Sequence, residues 1–474
     1  MSSEIQPPQT VLPLALTAFE QLMLADDRRA YPMTFFIQIS VTGDLQRAEF
    51  ESASVAAIRR HPLLCAIVRW RFLKPQWVAA SAPIVVEWCK DTLPTPSLEE
   101  RYLDLRTQPG LRISVSHTRD GSKILFMFHH AATDGIGAIQ FIGDVLAEYG
   151  IATATTDDER PHLSPVDPKC LLRRGEPWES GKQPPRLLRT WFSRAVEILG
   201  VHPSGMLKRS HVPDSQRQGR PLFLTRFLER SDLKAVNKEA TRRGVTSNEL
   251  LAMAMYESLY QWNQHDGRDA SKDVFRIGMP ASVRTPIHDN CPAANIVSYI
   301  LLTRRGHEIE DPKSMLNYIA SESRQVLNGR ETGIILLSIK LACWFPGLLR
   351  ILTRLPVRLV TTVLANVGEV KRQLRNRFPL RRGKCVAGNV ELDCLQGAAP
   401  VRPGTHVATS VGKYAGRLII NPNCDPQFFT AEEAEIFTDR FMQNVRQLSC
   451  SAKNPAKKLT DSEPTFAVTE SESI

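Results

Sequence analysis

This sequence lacks paired cysteines, a basic amino-terminal leader and long uncharged apolar runs. Its nine cysteines are odd in number and show neither a Cys-x-x-Cys pair nor a zinc-knuckle spacing, which favours reduced thiols over a disulfide framework. Residues 1–24 do not have the basic start of a secretory signal, so a cytoplasmic location is the expectation. No uncharged run reaches the ~20 apolar residues that a membrane-spanning helix needs.

The most apolar stretch, 333–368, is interrupted by four basic residues, Lys340, Arg350, Arg354 and Arg358. A helical hairpin packed on a protein core would explain this composition. A basic amphipathic surface that touches lipid would explain it equally well, so peripheral membrane contact stays open at this point.

The composition is that of a globular protein, with 42% hydrophobic and 23% charged residues over 474 positions. A chain of this length is too long for a single hydrophobic core, which predicts two packed lobes. The net charge of +10 favours partners that carry negative charge: anionic lipid, nucleotide-bearing thioesters, acidic carrier proteins or nucleic acids. Because the basic residues are scattered and no aromatic RNA-binding motif is present, we do not expect nucleic-acid binding.

Apolar periodicity predicts the elements of the first 150 residues. They are a helix over 10–29, strands over 34–41 and 63–70 with a helix over 48–60 between them, strands over 111–118 and 123–129 joined by an Asp-Gly turn, and a helix over 135–149.

Residues 151–220 are rich in Pro, Arg, Lys, Ser and Gly, which predicts a connection between the lobes with one helix over 187–199. The elements predicted beyond it are a strand over 222–228, helices over 231–243 and 246–262, strands over 273–279, 296–303 and 359–367, helical material over 333–358, strands over 406–411 and 416–421, and a helix over 437–448. The polar tail 451–474 has no periodicity and is predicted to be disordered.

Two adjacent histidines, His129 and His130, end the strand predicted over 123–129. Consecutive strand residues point to opposite faces, so only one of the two can face a given cavity. Imidazole titrates near neutrality, and one positioned histidine can therefore deprotonate an alcohol, amine or thiol as it attacks a carbonyl. The pattern indicates acyl transfer.

Asp134 and Gly135 follow the histidines at the start of the next predicted helix. A carboxylate at this position can cap backbone N–H groups or pair with an arginine. Glycine removes a side chain where another group must approach closely. Each feature is common alone, whereas their order after paired histidines is uncommon.

Two other site types fit the sequence poorly. The spacing of the histidines and Asp134 is not the His-x3-His spacing of helical zinc sites, and adjacent strand histidines do not easily bind one ion, so we expect no metal. The sequence also has no Gly-x-Ser-x-Gly elbow, which argues against a serine hydrolase.

Residues 129–135, HHAATDG, match at all four fixed positions the HHxxxDG signature of the chloramphenicol acetyltransferase-like superfamily. That superfamily includes nonribosomal peptide condensation domains, mycobacterial polyketide-associated acyltransferases, wax ester synthases and alcohol acetyltransferases. Further segments resemble it in the same order between about residues 10 and 450: RRHPLL at 59–64, MPASVR at 279–284, AN at 294–295 and TTVLANVG at 361–368.

The chain departs from the pattern at two fixed positions and in one segment. Cys65 stands where an arginine is often found, and Ala365 replaces the serine of the TVSNxG strand. The DFGWG segment of the plant BAHD branch is missing, and residues 413–417 look more like the bacterial branches.

The resemblance implies an α/β fold (an α+β sandwich) of two chloramphenicol acetyltransferase-like lobes in a V-shaped pseudo-dimer, with lobes at 1–175 and 176–450 and the site at their interface. His130 would be the general base facing a tunnel, with His129 and Gly135 as structural support. Asp134 would point away from the tunnel and pair with Arg284, a buried contact whose disruption costs ~3–5 kcal/mol.

The resemblance also implies the substrates. An acyl group would move from a thioester donor, acyl-CoA or a phosphopantetheine carrier, to a hydroxyl or amine of a small-molecule or lipid acceptor, in secondary or lipid metabolism and without a bound cofactor. Because Ala365 has no hydroxyl, the candidates for the tunnel lining or the oxyanion donor are Asn295, Thr362 and Asn366, and backbone N–H groups are the alternative donors. The alternative function is a non-catalytic docking or scaffold module for an acyl or peptidyl carrier protein.

Overall fold

The computed structural model describes residues 11–72, 74–81, 83–90, 92–93, 95–97, 99–176, 200–210, 212, 224–327 and 330–450. The helix predicted over 187–199, the start of the strand predicted over 222–228 and the tail 451–474 lie outside these residues. Within them the chain forms a seven-stranded sheet, a six-stranded sheet and a small three-stranded sheet, with helices packed around them. The predicted α/β fold class is confirmed.

The first half of the chain supplies the elements that lead into and out of the paired histidines. They are β1 (Leu14–Ala15), α1 (Ala18–Asp26), β2 (Thr34–Thr42), α2 (Arg47–Arg60), β3 (Ala66–Arg71), β4 (Lys74–Ala79), β5 (Val86–Cys89), β6 (Leu111–Thr118), β7 (Gly121–His129) and α3 (Gly135–Thr153).

The second half of the chain supplies the six-stranded sheet and most of the helices around it. Its elements are β8 (Arg226–Leu228), α4 (Arg230–Arg243), α5 (Ser247–Asn263), β9 (Val274–Ser282), β10 (Val297–Arg305), α6 (Gly306–Ile309), α7 (Pro312–Leu327), α8 (Arg330–Ala342), α9 (Leu348–Leu352), β11 (Thr362–Glu369), α10 (Val370–Gln373), β12 (Leu380–Arg381), β13 (Lys384–Ala387), β14 (Val390–Ala398), β15 (Val407–Tyr414), β16 (Arg417–Cys424) and α11 (Ala431–Cys450).

The seven-stranded sheet is built from both halves of the chain. Its order is β12-β13-β14-β2-β7-β6-β5, and β14 pairs antiparallel with β2, so that Leu395 lies opposite Ile39. Three strands from beyond residue 379 thus complete the sheet that holds the motif. The domain boundary predicted near residue 175 does not separate the two sheets, because periodicity marks a strand without identifying its partner.

Strand β7 lies inside this sheet, between β2 and β6, and it carries the motif at its carboxyl end. Residues 124–128 are buried on both faces, as expected of a central strand covered on two sides. The Asp-Gly turn joins β6 to β7 as predicted, with Thr118 opposite Gly121. The strand therefore ends at a fixed position, and α3 begins six residues later.

Two large buried clusters form the interior, consistent with a chain too long for one core. Aromatic rings of the first cluster pack between α3 and β7, with Phe141 edge-on to Phe128. In the second cluster Trp262 of α5 packs against Phe429 and Phe437. The first cluster supports the motif directly, because α3 and β7 flank it.

Several elements differ from those predicted. Helix α1 is shorter than the predicted 10–29 because Thr17 caps it: the Thr17 hydroxyl accepts from the Glu20 N–H, and the Glu20 carboxylate accepts from the Thr17 N–H. The helical material predicted over 333–358 is present as two separate helices, α8, which begins earlier at Arg330, and α9. Helix α7 and strands β4, β5 and β12–β14 had not been predicted.

Candidate active site

The backbone N–H groups of the two histidines donate to different neighbours. The His129 N–H donates to the Gly110 carbonyl at 2.9 Å, and the His130 N–H donates to the Met33 carbonyl at 2.7 Å. The His129 ring is fully buried: its Nδ1 accepts from the Ala131 N–H at 3.1 Å, and its Nε2 lies 3.4 Å from an Asp27 carboxylate oxygen. His129 is thus enclosed by the first lobe.

His130 keeps part of its surface accessible and is held from the other lobe. The Asn295 side-chain N–H donates to the His130 carbonyl at 2.6 Å and lies 3.2 Å from the ring Nδ1. The ring also packs on Phe35, with centroids 5.0 Å apart. Burial lowers the pKa of His130 below its ordinary 6.5, although a bond to its own backbone and the nearby Asp134 act in the opposite direction. The ring is therefore neutral at pH 7, the form that a general base requires.

The Asp134 carboxylate performs both roles that the sequence left open. It caps α3 by accepting from the Gly137 N–H at 2.8 Å. It also binds both Nη atoms of Arg284, at 2.8 and 2.9 Å, and accepts from the Ile296 N–H at 2.8 Å. The Asp134 side chain is 2% exposed and that of Arg284 is 15% exposed, so the pair is largely shielded from water. The contact joins the two lobes.

A short loop before β10, residues 291–296, contacts the motif and its supporting residues from the other lobe. The Arg284 guanidinium donates to the Ala294 carbonyl at 3.1 Å, and the Ala293 N–H donates to the His61 Nδ1 at 2.8 Å. Together with Asn295 and Ile296, these bonds hold the loop against the motif. The sequence pointed to Ala294 and Asn295 of this loop, but not to the contacts of Ala293 and Ile296, because those two residues act through backbone N–H groups and leave no residue signature.

The segment at 59–64, noted only as a resemblance, has a structural explanation. Arg60 and the other ring nitrogen of His61 bind the buried Asp144 of α3, at 2.6 and 3.0 Å. Burial raises the pKa of Asp144, but the bonds from His61 and Arg60 outweigh burial and hold it below its usual range. Asn376 donates to its second oxygen at 2.8 Å. Asp144 was not identified from the sequence; the signal that could have found it is an acid among the apolar residues of the buried face of α3.

The glycine that close packing requires is Gly137. A side chain there would overlap the Thr133 hydroxyl and lie 3.0 Å from the backbone N and O of Ala294. At Gly135 an added Cβ would meet only Val367, at an ordinary 3.4 Å. The close approach predicted at Gly135 therefore occurs one half-turn later, where α3 touches the 291–296 loop.

The three candidates for the tunnel or oxyanion fall in different places. Asn295 contacts His130 directly, and its buried side-chain amide oxygen, Oδ1, has no hydrogen-bond partner in the described part of the chain. Thr362 is buried and its hydroxyl donates to the Val407 carbonyl at 2.7 Å. The Asn366 amide donates to Asn248 at 3.1 Å. The single hydroxyl hydrogen of Thr362 is thus committed, which leaves Thr362 without a donor for an oxyanion, whereas the Asn366 amide has a second N–H beyond the one that Asn248 accepts.

Two features are not found within the described ranges. No group of three or more His, Cys, Asp or Glu side chains is arranged there to hold a metal ion. Among the helices described, none combines the length and apolar character that a membrane crossing requires.

No protein-family model matches the chain. A curated relative, the uncharacterized protein Rv2305 of Mycobacterium tuberculosis, is 23% identical over 386 residues, which cover 75% of this chain and 83% of that protein.

Three solved structures show similar folds. They are the TRI3 trichothecene 15-O-acetyltransferase from Fusarium sporotrichioides (TM-score 0.66, 13% identity, 94% of this chain and 100% of that one), the starter condensation domain of rhizomide synthetase RzmA in complex with C8-CoA (0.65, 15%, 94% and 96%) and polyketide synthase associated protein 5 from Mycobacterium tuberculosis (0.59, 14%, 93% and 98%). Identities this low establish the fold alone. The chain has the two-lobed, chloramphenicol acetyltransferase-like fold that these acetyltransferase and condensation-domain structures share, which is the fold that the HHxxxDG resemblance implied.

Proposed function

We propose that the protein is an acyltransferase that moves an acyl group from a thioester donor to a hydroxyl or amine, with His130 as the general base. The observation that carries this proposal is the state of His130: neutral at pH 7, partly accessible, and fixed by Met33 on one lobe and Asn295 on the other. A base held in this way is ready to accept a proton without reorganising its surroundings.

The reaction requires no covalent acyl-enzyme. His130 takes the proton of the acceptor O–H or N–H while the acceptor oxygen or nitrogen bonds to the thioester carbonyl carbon. The carbonyl electrons move to oxygen, and when they return the C–S bond breaks and the thiolate leaves. The thiolate takes the proton from the His130 imidazolium, which restores the neutral ring. Asp134 and Arg284 take no part in the proton transfer; they hold the motif against the 291–296 loop.

Two of the structural neighbours support the substrate class. One is named as an acetyltransferase, and another was solved with C8-CoA. The donor proposed here is accordingly acyl-CoA or an acyl group on the phosphopantetheine arm of a carrier protein, and the net charge of +10 favours either of these anionic partners. The acceptor proposed is a small molecule or a lipid. A cytoplasmic location stays a prediction.

The test is a screen of acyl-CoAs against alcohol and amine acceptors, with products detected by mass spectrometry. We expect His130→Ala to lower kcat by about 10²–10⁴-fold, the usual contribution of a general base. His117→Ala is the matched control, since His117 lies at the far end of the same hairpin, about 26 Å away along the strands. Undiminished turnover by a folded His130→Ala protein would refute the role.

The screen also separates catalysis from the alternative role. A docking or scaffold module would bind an acylated carrier protein, and His130→Ala would leave that binding intact while neither protein turned the substrate over.

A further inference from the structure

Half of the large apolar side chains that the described residues leave exposed lie within sixteen positions, 344–359. They are Trp344, Phe345, Ile351, Leu352, Leu355, Val357 and Leu359, with Trp344 70% and Phe345 65% exposed. Single exposed apolar residues are ordinary, whereas a contiguous group marks an interaction surface. We call this group, with the basic residues among it, the 344–359 surface.

Contacts with the core and with two neighbouring segments anchor the 344–359 surface to the rest of the fold. Leu349 of α9 is buried in the first core, and the Thr353 hydroxyl donates to the Ala25 carbonyl of α1 at 3.2 Å. The Arg358 Nε donates to the Gly404 carbonyl at 2.7 Å. Because these inward contacts fix the segment, the outward direction of its apolar side chains is a property of the packed fold.

The charged residues around these apolar side chains are all basic. Residues 332–368 contain no Asp or Glu, and Lys340, Arg350 and Arg354 are exposed. Arg350 and Arg354 form no ion pair with any carboxylate in the described part of the chain. With Gly347, Ile351 and Leu355 they line an open concavity of about 550 Å³. Basic and apolar side chains thus line the same open concavity.

We propose that the 344–359 surface docks on an anionic phospholipid membrane. Trp and Phe favour the headgroup region of a bilayer, aliphatic side chains enter the acyl boundary, and unpaired arginines bind lipid phosphates. A second copy of this chain would bring like charges together and is disfavoured. An acidic protein would match the arginines and is distinguished by the experiment. The proposal does not depend on acyl transfer.

The first experiment measures sedimentation of the full-length protein with phosphatidylcholine vesicles, with and without phosphatidylglycerol. We expect binding only to the anionic vesicles, and weaker binding as salt is added. The double variant Arg350→Glu/Arg354→Glu should weaken binding by at least about thirtyfold, at ~1 kcal/mol for each basic residue lost. The control is Lys234→Glu/Lys238→Glu, which changes the net charge equally on the exposed side of α4 and should retain most of the affinity.

The second experiment tests insertion at Trp344. Brominated lipids should quench part of the protein's tryptophan fluorescence, and Trp344→Phe should remove that quenching while vesicle binding persists. Three results would overturn the proposal: no binding to anionic vesicles, equal binding by the Arg350→Glu/Arg354→Glu protein, or binding of an acidic carrier protein through this surface in the absence of any vesicle binding.

Discussion

The Asp134 carboxylate accepts four hydrogen bonds, and removing either member of its pair with Arg284 tests how the motif is held. Two of the bonds come from Arg284, and the other two come from the backbone N–H groups of Gly137 and Ile296. Arg284→Ala strands a buried carboxylate that still has both N–H donors, so we expect a cost of ~3 kcal/mol, the lower end for a broken buried pair.

Asp134→Ala should cost more than Arg284→Ala. It strands the guanidinium and also removes the helix cap, worth about 1 kcal/mol, and the acceptor of the buried Ile296 N–H, worth at least about 1 kcal/mol. The total expected is ~5 kcal/mol. The double variant Asp134→Ala/Arg284→Ala leaves no buried charge without a partner. Its loss of unfolding free energy should therefore be smaller than the sum of the two single losses by about 3 kcal/mol.

Urea unfolding of the unmodified protein, the two single variants and the double variant, followed by fluorescence, measures the coupling free energy between Asp134 and Arg284. Hydrogen exchange adds a local measurement, since the Gly137 and Ile296 amides should lose protection in Asp134→Ala and keep more of it in Arg284→Ala. The control cycle uses the exposed pair Asp232 and Arg446, 3.5 Å apart, where coupling should stay below about 1 kcal/mol. Additive costs at Asp134 and Arg284 would refute the reasoning.

Three smaller perturbations test other parts of the site. Values of kcat/KM should fall with acid from a midpoint below pH 6.5, because burial lowers the pKa of His130 and protonation removes the base; a profile without this acid limb would contradict the assignment. Gly137→Ala should destabilise by ~1–3 kcal/mol in thermal unfolding because its Cβ has no room, whereas Gly135→Ala should cost under ~1 kcal/mol; equal costs would contradict the packing described. Thr362→Val should lower stability by about 1 kcal/mol and leave kcat unchanged, and a large fall in kcat alone would make Thr362 an oxyanion donor after all.

Local signals predicted the elements around the motif closely. The strand over 111–118 has the predicted bounds and α3 begins at Gly135 as predicted, since a hairpin turn and a capping aspartate mark these ends. Strand β14 was missed for a physical reason: its register shifts between Leu392 and Cys394, which breaks the alternation that identifies a strand. Its longest pairing is with β2, some 350 residues earlier in sequence, and a local pattern cannot report so distant a partner.

The site also has residues that the sequence identified and residues that it did not. The motif and Arg284 were found because their side chains form a recognisable pattern. Asn295 was found in the same way, whereas the rest of the 291–296 loop acts through backbone N–H and C=O groups, which every residue has and no sequence pattern reports. Strand register decides whether the Thr362 hydroxyl is free to bind substrate. Here the hydroxyl donates to the carbonyl of Val407, the residue directly opposite in β15.

The placement of the 291–296 loop has a consequence for the proposed chemistry. The loop leads into β10, at one end of the six-stranded sheet, while His130 ends β7 in the seven-stranded sheet. The partner of the His130 carbonyl and three of the four donors to the Asp134 carboxylate therefore come from the other lobe, and these bonds would be lost together if the lobes moved apart. A base whose supports span an interface is correctly placed only while the lobes are docked. Hence Arg284→Ala should reduce turnover through misplacement of His130, even though Arg284 handles no proton.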